Sequence, residues 1–185
     1  MTAILEREIK LRFETPAEAR QAILAAGATP LRGRRLQEDY LLDTADRLLQ
    51  CHRSVLRVRM EAGNSRLTFK GPVQASPMKL REELETMVGD GEVLLQVLER
   101  LGFRPWFRYQ KYREEYAHED VIIAVDETPV GTFVEIEGGE RGIMTMAEAL
   151  GRTRADYLLD SYRTLFLEHC RQRGLAGTDM LFDES

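Results

Sequence analysis

The sequence predicts an α+β protein built on an eight-stranded antiparallel β-barrel, closed into a tunnel with helices packed on its outside. Three observations predict it. Eight segments alternate apolar and polar residues with a period of two, most of them follow one another across short turns, and four helical patterns carry their own start and stop signals. At 185 residues the chain suits one domain, expected over residues 1–174, with 175–185 as a mobile or loosely docked tail that shows no periodicity.

The first strand is expected over 4–13. Thr15-Pro16-Ala17-Glu18 then combines a capping-box spacing with proline at the first helical position, and Gly27 stops a short helix. Strands follow at 36–43, 55–61, 66–70 and 79–88, with Gly63-Asn64 as a hairpin turn and Gly71-Pro72 and Ser76-Pro77 marking a longer loop. Asp90 caps a second helix, in which Val93, Leu94, Val97, Leu98 and Leu101 recur at helical spacing before Gly102. Strands at 108–117, 120–127 and 130–138 come next, the last two joined through Glu127-Thr128-Pro129. A short third helix is expected from the Thr145 and Glu148 capping pair to Gly151. A fourth is expected from Ala155 to Arg173, with Leu158, Tyr162, Leu165, Phe166 and His169 on one face.

Composition narrows the function classes. The chain is 43% hydrophobic and 31% charged, which supplies a core and excludes a disordered chain. It has no apolar run long enough to span a bilayer, and the N-terminus turns charged at Glu6, so neither a membrane span nor a signal peptide is expected and a cytoplasmic location is. A net charge of -5 argues against a general nucleic-acid binder. Cys51 and Cys170 lie outside any disulfide or zinc spacing, and His52, His118 and His169 are scattered.

The chemistry lies in the polar faces of the strands. On the first, Glu6, Glu8, Lys10 and Arg12 share one face and Leu5, Ile9, Leu11 and Phe13 the other. The same division recurs with Arg57 and Arg59; with Arg66, Thr68 and Lys70; with Lys79, Arg81, Glu83 and Glu85; with Lys111, Arg113 and Glu115; and with Glu135 and Glu137, while Asp126 sits on a short apolar strand. Helices covering the apolar face leave these charges to line the lumen, which must be hydrated, paired, or filled by ligands of matching charge. Glu6 and Glu8 call for a cation between them, and Mg2+ or Mn2+ suits carboxylate oxygens and keeps positions open for phosphate. The Arg and Lys rows suit a polyphosphate.

Glu6-x-Glu8-x-Lys10 resembles the ExExK signature of the CYTH domain superfamily, the triphosphate tunnel metalloenzymes. Later segments are similar in order: Tyr40-Leu41-Leu42-Asp43-Thr44, Leu56-Arg57-Val58-Arg59, Leu67-Thr68-Phe69-Lys70-Gly71-Pro72, Arg81-Glu82-Glu83-Leu84-Glu85, Lys111-Tyr112-Arg113, Asp126, Phe133-Val134-Glu135-Ile136-Glu137-Gly138 and Ser161-Tyr162-Arg163. The resemblance covers roughly residues 4–167. It implies a triphosphate held along the tunnel axis with one or two Mg2+ or Mn2+ ions. By the resemblance, Glu6, Glu8, Glu135 and Glu137 form the main metal cluster, with Asp126, Glu83 and Glu85 nearby. Lys10, Arg57, Arg59, Lys70, Lys111 and Arg113 hold phosphates, Arg81 is a further candidate, and Lys79 and Arg12 fall at the tunnel mouth.

Glu6, Glu8 and Lys10 are the candidate catalytic residues. The expected activity is that of a metal-dependent phosphohydrolase acting on thiamine triphosphate, tripolyphosphate or a nucleoside triphosphate. Two alternatives stand beside it: a class IV adenylyl cyclase making cyclic AMP and pyrophosphate from ATP, and a non-catalytic module that binds nucleotide or polyphosphate. The partner is a small-molecule triphosphate rather than nucleic acid or membrane, and exposed strand edges or the fourth helix could serve a homodimer.

Overall fold

In the computed structural model, residues 4–183 are described. Residues 1–3 of the expected domain and 184–185 of the expected tail lie outside them. Eight strands, β1 (Ile4–Phe13), β2 (Thr29–Asp43), β3 (Val55–Glu61), β4 (Asn64–Lys70), β5 (Lys79–Val88), β6 (Arg104–His118), β7 (Val121–Thr128) and β8 (Gly131–Gly138), close in the order β1-β5-β4-β3-β2-β6-β7-β8. Each neighbouring pair is antiparallel. The helices are α1 (Pro16–Ala25), α2 (Leu48–Cys51), α3 (Gly91–Arg100), α4 (Glu140–Ala149) and α5 (Tyr162–Arg173).

The local signals act where expected. Thr15 caps α1 by accepting from the Glu18 amide, and Asp90 caps α3 by accepting from the Val93 amide. Ala19 and Ile23 of α1, with Ile143 and Met146 of α4, bury the outer face of β1, β7 and β8 through Ile9, Leu11, Ile123 and Ile136. Leu94 and Leu98 of α3 cover Leu42 and Val58.

Several boundaries differ from expectation. β2 starts at Thr29 rather than 36, because its first half pairs with β6 through an irregular register that leaves most of its side chains exposed and without alternation. The β3–β4 turn is centred on Ala62 and Gly63, both at positive φ, and the β7–β8 turn on Pro129 and Val130. α4 begins at Glu140, well before the Thr145 and Glu148 pair, with Gly139 at its N-cap. Gly138-Gly139 is a packing device, since a Cβ on Gly139 or Gly142 would collide with the Asp120 carboxylate.

The fourth expected helix is shorter than predicted, and its missing part has a different task. Ser161 caps α5 at Tyr162, while a 3-10 turn at Arg154–Asp156 leads into an extended stretch. There Leu158 exchanges backbone hydrogen bonds with Lys10, at 3.1 and 2.9 Å, where β1 runs on past its last pairing with β5 at Lys79. Strand β6 is completed in the same way by the tail. Met180 bonds the Arg108 carbonyl and the Gln110 amide at 3.0 and 2.8 Å, and its side chain is fully buried. The tail, expected to be mobile or loosely docked, is docked through residue 182, because the backbone of β6 before Tyr112 lacks a β7 partner and needs one.

These last residues also close one end of the barrel. Leu41, Phe107, Tyr109 and Phe133 continue the inward rows of Asp39, Lys111 and Glu135, yet they are uncharged, and they pack with Tyr162, Phe166 and Cys170 of α5 and with Met180. The lumen is ionic along most of its length and apolar at the end where α5 seats.

Candidate active site

Cross-strand register decides which charges meet. Glu8 lies opposite Lys79 of β5 and Glu137 of β8, Lys10 opposite Glu135, and Lys70 of β4 opposite Glu83. The Glu8 carboxylate accepts from Lys10 at 3.0 Å and from Lys79 at 2.5 Å, and Lys10 also reaches Glu135 at 3.2 Å. The Lys70 ammonium bonds both oxygens of Glu6 at 2.6 Å and lies 2.8 Å from Glu83.

Two fully buried aspartates organise the remaining cations. Asp39 accepts from Arg59 Nε and Nη2 at 2.9 and 3.2 Å, and Arg57 Nε lies 3.4 Å away. Asp126 accepts from Lys111 at 2.8 Å, from Arg113 at 2.7 and 2.5 Å, and from the Tyr162 hydroxyl at 2.5 Å. Arg113 continues to Glu135, tying the two groups together. Fixed carboxylates of this kind hold guanidinium and ammonium groups in place before a ligand arrives.

A cavity of about 400 Å3 runs between these rows. Eleven Lys and Arg residues and seven Glu residues line it, an excess of four positive charges in a chain whose net charge is -5. Asp39 and Asp126, behind the surface, reduce that excess to two. Leu41, Val55, Tyr109 and Tyr162 supply its large uncharged surface.

The carboxyls divide by environment. Burial opposes ionisation of Glu8 and Glu135, but Lys10 and Lys79 at Glu8, and Arg113 and Lys10 at Glu135, outweigh it and hold both well below the usual range. Burial followed by the charge of Glu8 pushes Glu6 up to about 8 and Glu137 up to about 7. Burial and Arg113 lower Lys111 to about 8. Glu137 has no cation within ion-pair distance among the described residues. Around Glu6, Glu8, Glu83 and Glu137 the negative charge therefore exceeds its local compensation, and the donors are hard oxygens. That set fits a hard divalent cation. Among the described residues, no three His, Cys, Asp or Glu side chains are already gathered as ligands, because lysines stand between them.

The structure brings Glu6, Glu8, Lys10, Arg57, Arg59, Lys70, Arg81, Glu83, Glu85, Lys111, Arg113, Glu135 and Glu137 to one cavity. Three of the supporting residues stand differently from expectation. Both oxygens of Asp126 are taken by Lys111, Arg113 and Tyr162, which makes it an anchor for cations. Glu85 pairs with Arg66 at 2.8 Å and accepts from Thr68 at 3.0 Å, apart from the Glu6 group. Arg81 spends its guanidinium on the carbonyls of Lys70 and Gly71, at 3.1 and 2.8 Å, and so fixes the end of β4. Lys79 is inside the cavity on Glu8, whereas Arg12 is exposed over the Phe133 ring.

Residues passed over in the sequence include Asp39, Arg35, Gln37 and Tyr109. The alternation Arg35-Gln37-Asp39-Leu41 carries the signal for these residues, but the strand expected over 36–43 begins after Arg35. Tyr162 and Arg163 stand in the late motif, and Tyr162 on one face of the fourth expected helix, with no site role expected for either.

Comparison with known proteins places this geometry. The CYTH domain profile matches residues 5–161. Over 135 residues the chain is 31% identical to a Methanocaldococcus jannaschii protein named as a candidate adenylate cyclase, covering 72% of this chain and 77% of that one. The solved PH1819 protein of Pyrococcus horikoshii OT3 matches with a TM-score of 0.74 at 27% identity, over 89% of this chain and 99% of that one. A candidate adenylyl cyclase from Hippeastrum, described as having a dominant triphosphatase activity, shares the fold with a TM-score of 0.65 at 21% identity, over 92% of this chain and 97% of that one.

Proposed function

The chain belongs to the CYTH domain family, and from that premise we propose that it binds a triphosphate in its tunnel and hydrolyses it with the help of a divalent cation. The carrying observation is the cavity's excess of cations inside an acidic protein, held on fixed carboxylates at strand-to-strand spacing. Lys10, Arg57, Arg59, Lys111 and Arg113 bind and orient the phosphoryl oxygens, Arg through two-point contacts and Lys as a point charge. Glu6, Glu8, Glu135 and Glu137, with Glu83 beside them, would hold Mg2+ or Mn2+. The cation, when bound, would supply charge neutralisation at the phosphates and an activated water. Holding the chain of phosphates still while charge develops on the leaving group is the protein's main contribution, since phosphoryl transfer depends on positioning and electrostatics.

The hydrolytic reading is favoured over cyclisation by the lining. Leu41, Val55, Tyr109 and Tyr162 are few partners for a positioned nucleoside, and cyclisation requires one. The name of the Methanocaldococcus jannaschii relative favours the second reading, an adenylyl cyclase. One panel separates them. Purified protein is offered ATP, thiamine triphosphate and tripolyphosphate with Mg2+ or Mn2+, and phosphate, pyrophosphate and cyclic AMP are measured. Phosphate release from a triphosphate is expected; cyclic AMP with pyrophosphate would replace hydrolysis by cyclisation, and no product at all would leave a binding module.

A further inference from the structure

Three carboxylate oxygens surround the Lys70 ammonium: both from Glu6 at 2.6 Å and one from Glu83 at 2.8 Å. That is the environment expected of a bound cation, and here a side chain occupies it. The backbone beneath is held, because Arg81 clamps the carbonyls of Lys70 and Gly71, while the Lys70 side chain is a flexible four-carbon stem facing the cavity. Lys10 and Lys79 stand on Glu8 in a comparable way.

Building on the triphosphate reading above, we propose that Lys70 is a displaceable internal counter-ion, which holds the cation position between Glu6 and Glu83 until a triphosphate draws it away. The consequence is coupled binding. A divalent cation arriving alone must evict Lys70 and leave a half-buried ammonium without a partner. A triphosphate arriving alone must take Lys70 from Glu6 and Glu83 and leave a buried and a half-buried carboxylate facing each other and the phosphates. When both bind, the metal replaces the ammonium at the carboxylates and the phosphate replaces the carboxylates at the ammonium, so neither charge is stranded. By linkage each ligand then tightens the other by the same factor, on the order of 10- to 100-fold. The ligand the site selects is the metal–triphosphate complex.

The test uses the whole chain and Mn2+ as the probe, followed by electron paramagnetic resonance, with and without a methylene-bridged triphosphate analogue that cannot be hydrolysed. Free concentrations are corrected for the complex that forms in solution. With the wild-type protein, Mn2+ alone should bind weakly and the analogue should tighten it at least about 10-fold. Lys70→Met removes the internal cation, so Mn2+ alone should bind it about 10-fold more tightly than wild type, while the analogue without metal binds less tightly and the coupling shrinks. Lys70→Gln, with circular dichroism and melting on both variants, covers a failure of the Met variant to fold. Mn2+ affinity that does not rise in either folded variant overturns the counter-ion role, even if the analogue binds. Independent binding of the two ligands to wild type overturns the coupling. Absence of analogue binding under every condition would instead sink the triphosphate reading itself.

Discussion

The Tyr162 hydroxyl donates to Asp126 at 2.5 Å, reaching from the first turn of α5 to a carboxylate that also carries Lys111 and Arg113. The C-terminal helix is thus part of the support for the cationic row of Lys111 and Arg113. The Tyr162 ring also lies 4.7 Å from the Lys111 ammonium and 5.3 Å from that of Lys10. Tyr162→Phe keeps the ring and removes the donor. It should cost about 1.5–3 kcal/mol, the range for a bond to a charged acceptor, and weaken binding of a triphosphate analogue. Chemical denaturation and calorimetric titration check the two effects, and unchanged affinity would show that Asp126 keeps its cations without help from α5.

Replacing Lys10 or Glu8 by Ala should abolish turnover of a triphosphate. A hydrated cavity suggests that the fold would tolerate either change, but the structure argues otherwise. Lys10 is 2% exposed and Glu8 6%, and removing one partner of a buried pair strands the other at a cost of about 3–5 kcal/mol. Melting temperature should fall along with activity, and Glu8→Gln should melt above Glu8→Ala while remaining inactive. Turnover at the wild-type rate in any of these variants would remove the residue from the mechanism.

Activity should depend on added Mg2+ or Mn2+ and disappear on chelation. The support is the crowding of Glu6, Glu8, Glu83 and Glu137 around too few cations. Full turnover of a triphosphate by chelator-treated protein would end the metal assignment.

The metal-free protein should be more stable at pH 6 than at pH 8.5. Glu6 and Glu137 titrate near 8 and 7 when folded and near 4.5 when unfolded, so the folded state binds more protons throughout that interval. Stability therefore falls as pH rises through it, and Lys111, lowered to about 8, acts the other way only above about that pH. Below the unfolded value the sign reverses, because Glu8, Glu135, Asp39 and Asp126 are depressed by their cations and lose that stabilisation on protonation. A maximum at about pH 4.5–5 is expected, with a gain at pH 6 on the order of 5 °C over pH 8.5 in chelator, and saturating Mg2+ should flatten the alkaline limb. A chelated melting profile that rises from pH 6 to 8.5 would contradict the raised carboxyls.

Met180→Ala should destabilise the protein by about 2–5 kcal/mol, as expected for truncating a fully buried methionine. A loss below about 0.5 kcal/mol in urea denaturation would mean that the tail contributes little to closing the end of the barrel.

Much of the site was legible because a strand's side-chain period is two. Once Glu6, Glu8 and Lys10 share a face, as do Arg57 and Arg59, and Lys111 and Arg113, their common destination follows from closing the sheet. Asp39 was missed although it obeys the same rule, since β2 has an irregular register and its first half is exposed on both faces. Leu158 read as helical because its spacing from Tyr162 and Leu165 fits a helix. Its actual conformation answers the unpaired backbone of Lys10, far away in sequence.

Alternation and capping, which act between residues a few positions apart, were enough to determine from sequence the barrel, α1 and α3, and the inward charged rows. Which charges pair was decided only by the tertiary structure, because partners such as Lys70 with Glu6, or Asp126 with Tyr162, are set by register and by the path of the last helix. Those long-range placements put Lys111, Arg113 and Tyr162 on Asp126, set Lys70 between Glu6 and Glu83 and seated the tail in the barrel's end. In a low-dielectric lumen, a charge takes its role from the neighbours that can neutralise it, and those neighbours come from elsewhere in the chain.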